Sequence, residues 1–229
     1  MHRELPIFCG FGTSEKHWLT TSFKAVLRQN RFKPLFINSL EKPLFEEASA
    51  SHIKGNFPVV VVHSQGLQHF IHSKIRCKHL IILNSFVEFC SSENSEEQSH
   101  RLSLRQLQRM QFQYIKKPAE VIQHFQQQAA YSHITASKEL PPNDKLKQLN
   151  WQLKALENPI DLQRLQKKVV EKCTFVLAKN DPIIPEFRSK QFLQKVQALR
   201  SCDLFTLDEA VHLSTSSHFY EISRTILKK

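Results

Sequence analysis

Long apolar runs, paired cysteines and glycine are what this chain has least of. No hydrophobic stretch approaches the roughly 18–20 residues that span a bilayer, which excludes a membrane-spanning helix. The opening residues, MHRELPIFCGFG, lack a signal-peptide layout, because their apolar stretch is only about five residues long and leads directly into a glycine turn. A soluble, cytoplasmic protein is the expectation. The cysteines (Cys9, Cys77, Cys90, Cys173 and Cys202) are scattered, odd in number and form no C-x-x-C pair. That spacing supports neither a disulfide framework nor a thiolate metal site, and buried thiols in a reducing compartment are expected. The 12 histidines show no H-x-x-x-H or H-E-x-x-H spacing, so no metal is expected. Glycine occurs four times in 229 residues, at Gly10, Gly12, Gly55 and Gly66.

What is present is a globular composition with an excess of base. Hydrophobic residues at 41% and 17 phenylalanines exclude disorder as the default. The length suits one domain with a substantial core. Thirty-two Lys+Arg against 21 Asp+Glu give a net charge of +11. Such a surface attracts nucleic acid, anionic lipid or an acidic protein, or reflects a proteome of basic bias. No RNA- or DNA-binding motif accompanies the cations, so nucleic acid is not an expected partner. Neither is a membrane, and a monomer is expected.

Short apolar runs alternate with helical patterns along the chain. Strands are expected at 6–9, 34–37, 57–62, 80–83, 173–178 and 203–207, with helices at 17–30, 67–75, 185–199 and 216–227. Val59 to Val62 is apolar on both faces, as a central parallel strand should be. Between Ser91 and Lys168 the texture turns rich in Gln, Lys, Glu and Leu. That region reads as helices near 101–115, 118–131, 142–157 and 159–168, broken at prolines. The order implies a mostly parallel sheet with helices on both faces, interrupted by a helical insertion. The core is 1–90 plus 169–229, the insertion 91–168. Ligands on such sheets bind at the carboxyl ends of the strands.

Three of the four glycines follow expected strands, where backbone must take positive φ or approach closely. Gly10 and Gly12 follow the first. Gly66 follows Ser64 in "VVVVHSQGLQHFI", which nearly spells the G-x-S-x-G turn that lifts a serine onto a strand-to-helix elbow. Val62 stands where the first glycine belongs. A nucleophile at Ser64 and a plain helix N-cap are both open at this point. In an elbow, the N–H of Gln65 faces a substrate oxyanion and the N–H of Phe11 supplies the second donor. Further on, Asp181 lies in "NDPIIP" just past a strand, where a carboxylate can orient a histidine; an Asp in a turn is the plainer alternative. His212 lies past the last strand, where a general base belongs. His218, Asp203 and Asp208 are weaker rivals.

With these residues in place, the chain resembles the α/β-hydrolases, specifically the pimeloyl-[acyl-carrier protein] methyl ester esterases of biotin synthesis. The resemblance runs through Cys9 to Trp18, His63 to Gly66, "LIILNS", Ile160 to Leu162, "NDPIIP" and "EAVHLSTSSHFYEI". It departs from the family at Val62 and at Cys9, where the family often has His. It also departs in the two antiparallel strands that usually open the fold, which are missing or reduced. The resemblance implies a Ser64–His212–Asp181 triad, an oxyanion hole at Phe11 and Gln65, an acyl-enzyme, no cofactor, and a lid formed by the insertion. Phe112, Tyr114 and Phe125 are then candidate walls of a substrate channel, or ordinary lid core. Arg101, Arg105 and Arg109 recur every four residues along one helical face, with Lys116 and Lys117 close behind. This stripe is either a solvated face or a docking surface for an acidic acyl-carrier protein. The alternatives are a general carboxylesterase or thioesterase, and a non-catalytic binding protein of the same fold.

Overall fold

Val59, Val60, Val61 and Val62 point alternately to both faces of a strand, so burying all of them requires cover on both sides. A computed structural model describes residues 3–13, 15–38, 51–90, 97–129, 142–208, 212–213 and 220–225. It places the four valines, all buried, within a six-stranded sheet of order β2-β1-β3-β4-β5-β6. Every neighbouring pair is parallel. β1 (Arg3–Phe8) leads through α1 (Glu15–Trp18) and α2 (Thr21–Gln29) to β2 (Phe32–Ile37), an edge strand that tolerates Pro34. β3 (Lys54–His63) returns to the other side of β1, and α3 (Gly66–His72) connects it to β4 (Lys74–Leu83). The chain then leaves the sheet for α4 (Glu97–Lys116), α5 (Pro118–Gln128), α6 (Asn143–Gln148), α7 (Asn150–Ala155) and α8 (Leu162–Lys167). It re-enters at β5 (Val170–Ala178), followed by α9 (Glu186–Gln197) and β6 (Cys202–Leu207), and residues 220–225 are again helical.

The expected order holds, and the departures have local causes. The helix expected over 17–30 is two, because Thr20 accepts from the Phe23 N–H at 3.3 Å and starts α2 afresh. The helix expected to reach Ile75 stops at His72. From Lys74 to His79 exposed and buried residues alternate, a period of two that belongs to β4. The helix expected over 142–157 breaks at Leu149, and α8 begins after Asp161, whose Oδ1 accepts from the Arg164 N–H at 3.0 Å. All five cysteines are buried, and none is joined in a disulfide.

Each face of the sheet has its own core. Phe8, Val60, Val62, Leu80, Ile82 and Phe175 pack against α3 and α9 through Leu67, Phe70 and Phe192. Ile7, Val59, Val61, Ile81 and Val176 pack against Trp18, Phe23, Leu27 and Ile222. A third cluster sits in the insertion, where Leu107, Tyr114, Ile122, Leu149 and Leu153 join Phe11, Phe86 and Ile184. Among the described residues, no helix is long and apolar enough to cross a membrane.

The inner face of α3 carries His69, fully buried, its ring 5.2 Å from that of Trp151 on α7. Burial, with a smaller contribution from His72, pushes its pKa down to about 3. Unfolded His69 binds a proton as the pH falls below about 6.5, and the folded one does not. Its contribution to stability is therefore full above that pH and is lost as the pH falls toward 3. Between pH 7 and about pH 5 the loss amounts to roughly 2 kcal/mol. His69→Phe is expected to flatten this part of a urea-midpoint profile, and an unchanged slope excludes His69 as its source.

The strand order reverses between β1 and β3, the position at which ligands bind on sheets of this kind. Ile7 pairs with Val61 and Phe8 with Val62, so the two strands finish level and their following loops lie side by side.

Candidate active site

β3 ends at His63 and α3 begins at Gly66, leaving two residues to turn strand into helix. Gln65 is already helical, at φ −60° and ψ −17°. Ser64 makes the whole turn, with φ +52°. A non-glycine residue in this left-handed region costs about 1–3 kcal/mol and persists only where its surroundings hold it. Here the Ser64 N–H donates to Leu83 O at 3.0 Å, and Ser85 Oγ donates to Ser64 O at 2.9 Å. Both backbone polar groups of Ser64 are thus tied to the end of β4.

Gly66 is where backbones meet. A Cβ there would lie 2.1 Å from the Phe8 carbonyl oxygen. Val62 meets no such obstacle: its side chain is fully buried with Phe8, Leu67 and Phe70 beneath α3. The close approach of strand and helix falls at Gly66, so a glycine at position 62 is not needed for the turn. Val62→Gly is accordingly expected to destabilise the protein by roughly 3 kcal/mol through a core cavity. Urea denaturation measures this, and a loss below about 1 kcal/mol excludes a packed role for Val62.

The loop after β1 is a turn closed by the Thr13 N–H donating to Gly10 O at 3.2 Å, with Gly12 at φ +69° in its third position. Gly10 touches the elbow: a Cβ there would lie 2.9 Å from Ser64 Cβ and 3.1 Å from His63 O. The turn bearing the Phe11 N–H therefore rests against the one bearing the Gln65 N–H.

Asp181 divides its two oxygens between backbone and side chain. Oδ1 accepts from the N–H groups of Ile183 at 2.8 Å and Ile184 at 2.9 Å, which fixes the carboxylate. Oδ2 lies 2.7 Å from His212 Nδ1, with both side chains 1% exposed. The main chain of His212 is held as well, its carbonyl accepting from Asn84 Nδ2 at 2.8 Å and His63 Nε2 at 3.0 Å. A carbonyl only accepts, so His63 carries its proton on Nε2. The His63 and His212 rings are 4.6 Å apart, which puts His212 beside the elbow. With Nδ1–H directed at Asp181, the Nε2 of His212 keeps the lone pair a general base requires.

Asn84 takes φ +40°, a region asparagine tolerates better than most residues. Its Oδ1 accepts from the Ala178 N–H at 2.7 Å, tying the ends of β4 and β5 to the His212 loop. His63, Asn84 and Ser85 are the supporting residues that sequence reasoning missed. Their only signal was position, at or just past a strand end. Of the rivals, Asp203 and Asp208 form exposed ion pairs with Lys172 at 3.0 Å and Lys179 at 2.6 Å. His218 lies outside the described residues.

From the insertion, Phe125 reaches the site. Its ring is 5.3 Å from Phe11 and 6.3 Å from His212, and Tyr114 lies 6.1 Å from Phe11. The expectation for Phe112 needs correction: it is 60% exposed, with Lys116 Nζ 4.1 Å over its ring, and does not join that buried wall. Arg105, Arg109, Lys116 and Lys117 are exposed, and Arg101 belongs to the same helix as the first three. Lys117 is paired with Glu120 at 2.9 Å.

No protein-family model matches the sequence, and no curated protein matches it. Solved structures do match in fold. An esterase from Exiguobacterium antarcticum aligns at TM-score 0.67 and 10% identity, covering 98% of this chain and 90% of that one. A thermophilic esterase from Thermogutta terrifontis aligns at TM-score 0.62 and 12% identity, covering 100% and 89%. A bromoperoxidase from Bacillus anthracis aligns at TM-score 0.60 and 11% identity, covering 99% and 91%. The architecture is the α/β-hydrolase fold.

Proposed function

We propose that this protein is a serine carboxylesterase, with Ser64 as nucleophile, His212 as general base and acid, and Asp181 as the group that orients His212. The observation that carries the reading is the left-handed Ser64 at the end of β3 beside a buried His212 bonded to Asp181 at 2.7 Å. A serine held at positive φ is strained backbone of the kind that clusters at active sites. A buried carboxylate on Nδ1 supplies the matching base.

In the reaction, Ser64 Oγ attacks the ester carbonyl while His212 Nε2 takes its proton. The developing oxyanion accepts from the N–H groups of Phe11 and Gln65, each donor lowering the barrier by about 2.7–4 kcal/mol. His212 then gives the proton to the departing alkoxide, releasing the alcohol. A water molecule repeats the sequence on the acyl-serine and frees the acid.

The finer reading is hydrolysis of the methyl ester of a pimeloyl chain carried on acyl-carrier protein. Its support is the similarity of motifs described above and the exposed cations Arg105, Arg109 and Lys116 on α4, which suit an acidic carrier.

One experiment tests both levels. Wild type and Ser64→Ala are treated with a fluorophosphonate probe and then assayed with the carrier-bound methyl ester and with p-nitrophenyl acetate. Labelling confined to wild type, with turnover of the carrier ester, is the expected result. An unlabelled wild type leaves a non-catalytic binding protein. Labelling with turnover of the small ester alone leaves a general carboxylesterase. Reversing Arg105 and Arg109 to Glu is expected to raise KM for the carrier ester and spare the small one; equal losses on both remove the docking role.

A further inference from the structure

Two helices of the insertion reach past the cleft and hold the loops that bear the oxyanion donors. From α5, Gln126 donates through Nε2 to Gly12 O at 2.9 Å, inside the turn that carries Phe11. Its neighbour Phe125 packs on the same turn, and a Cβ at Gly12 would meet the Phe125 ring at 3.0 Å. From α7, the Gln152 carbonyl accepts from Gln65 Nε2 at 2.5 Å. Gln152 Nε2 donates to Asn38 Oδ1 at 2.6 Å, and Asn38 Nδ2 donates to Cys9 O at 3.4 Å. Each series ends on a main-chain carbonyl, which fixes the orientation of every amide along it. Gln65, Gln126, Gln152 and Asn38 are all at least nine-tenths buried.

These bonds join the two halves of the site through the lid. The Gly10–Thr13 turn is bound by α5 at Gly12 and, through Asn38, by α7 at Cys9. The elbow is bound by α7 through the side chain of Gln65. We infer that Gln126 and Gln152 are positioning residues that set the spacing of the Phe11 and Gln65 N–H groups, so that the oxyanion hole is assembled only while α5 and α7 are docked. This rests on the serine-esterase reading and extends it: the insertion becomes part of the catalytic geometry as well as its cover. An oxyanion donor acts only near 2.7–3.1 Å from the developing charge, so a small displacement of either loop weakens the transition state more than the bound ester.

The seam between α3 and α7 buries Gln65 Oε1, both ring nitrogens of His69 and Trp151 Nε1 without a protein hydrogen-bond partner. Undocking α7 returns these groups to water, which offsets part of the cost of exposing its apolar side chains.

The test compares Gln126→Leu, Gln152→Leu and Gln126→Glu with wild type on p-nitrophenyl acetate. In parallel, amide hydrogen exchange is followed in the peptide over residues 8–13. Each leucine variant is expected to lower kcat about tenfold with KM held within about twofold, and to speed exchange in that peptide. Gln126→Glu keeps the size of the side chain and donates only while protonated. Its kcat relative to wild type should therefore fall as the pH rises through the carboxyl's titration. That comparison stands if a leucine variant fails to fold. Wild-type kcat in either leucine variant, or lowered kcat with unchanged exchange, overturns the inference. A wild type that hydrolyses no ester and takes no fluorophosphonate refutes the esterase reading instead, and the exchange measurement still decides whether the glutamines hold the turn.

Discussion

Ser64→Gly is expected to remove esterase turnover and to make the protein more stable. Loss of the nucleophile from a triad lowers kcat by roughly 10⁴- to 10⁶-fold, what remains coming from the oxyanion donors and substrate binding. The gain in stability has a different origin. Ser64 sits at φ +52°, where a side chain is crowded and glycine is not. Relief of about 1–3 kcal/mol of strain is partly offset by the greater freedom of glycine in the unfolded chain, about 0.4–1 kcal/mol. A net gain of about 1 kcal/mol follows, or about 3 °C in Tm for a chain of this length. Ser64→Ala loses the same activity while keeping the strain, so its Tm should stay near that of wild type. Kinetics and thermal melting of the two variants side by side measure both effects. A glycine variant that melts at or below the alanine variant would falsify the claim that strain is stored at position 64.

What could be read from the chain is what periodicity and chain order carry, and what could not is what only three-dimensional contact sets. Alternating apolar runs and helical periods carried the order of strands and helices, because periodicity is set by which face of each element is buried. The candidate site was legible as an order, with Gly10 and Gly12, then Ser64 and Gly66, then Asp181, then His212, each just past a strand. The extent of β4 was not, since the polar residues of its first half outweigh an alternation only six residues long. Val62 drew doubt as a departure from a motif, yet the contact that demands glycine falls at Gly66, and only three-dimensional distances show it. Phe112 was misplaced for a geometric reason. On α4, Leu107 and Tyr114 are buried seven residues apart on one face, and Phe112 lies far around the helix from both. The bonds that complete the site join residues more than a hundred positions apart, such as Asn84 with His212 and Gln126 with Gly12. Each ends on a backbone carbonyl, which leaves no mark in the sequence.

Gly66→Ala is expected to cost the most stability of any single methyl group added to this protein's glycines. The new Cβ would stand 2.1 Å from Phe8 O, 2.7 Å from Phe8 C and 3.1 Å from Cys9 O. All three are backbone atoms at the end of β1, a strand paired on both sides, so none can swing away as a side chain could. Relief requires α3 to lift from the sheet, which opens the packing of Leu67 and Phe70 on Phe8 and Val62. Overpacking of this kind costs about 3 kcal/mol or more, corresponding to a fall of about 10 °C in Tm. Gly12→Ala is the control. It carries strain from φ +69°, but its nearest obstacle is the Phe125 ring at 3.0 Å, a side chain that can shift. Its cost should remain near 1–2 kcal/mol. Lifting α3 also moves Gln65 and releases Ser64 from the elbow, so Gly66→Ala should lose fluorophosphonate labelling even where it still folds. Melting curves and labelling of the two alanine variants decide the matter, and a Gly66→Ala protein that melts with Gly12→Ala would show that β1 and α3 are not pressed together at the elbow.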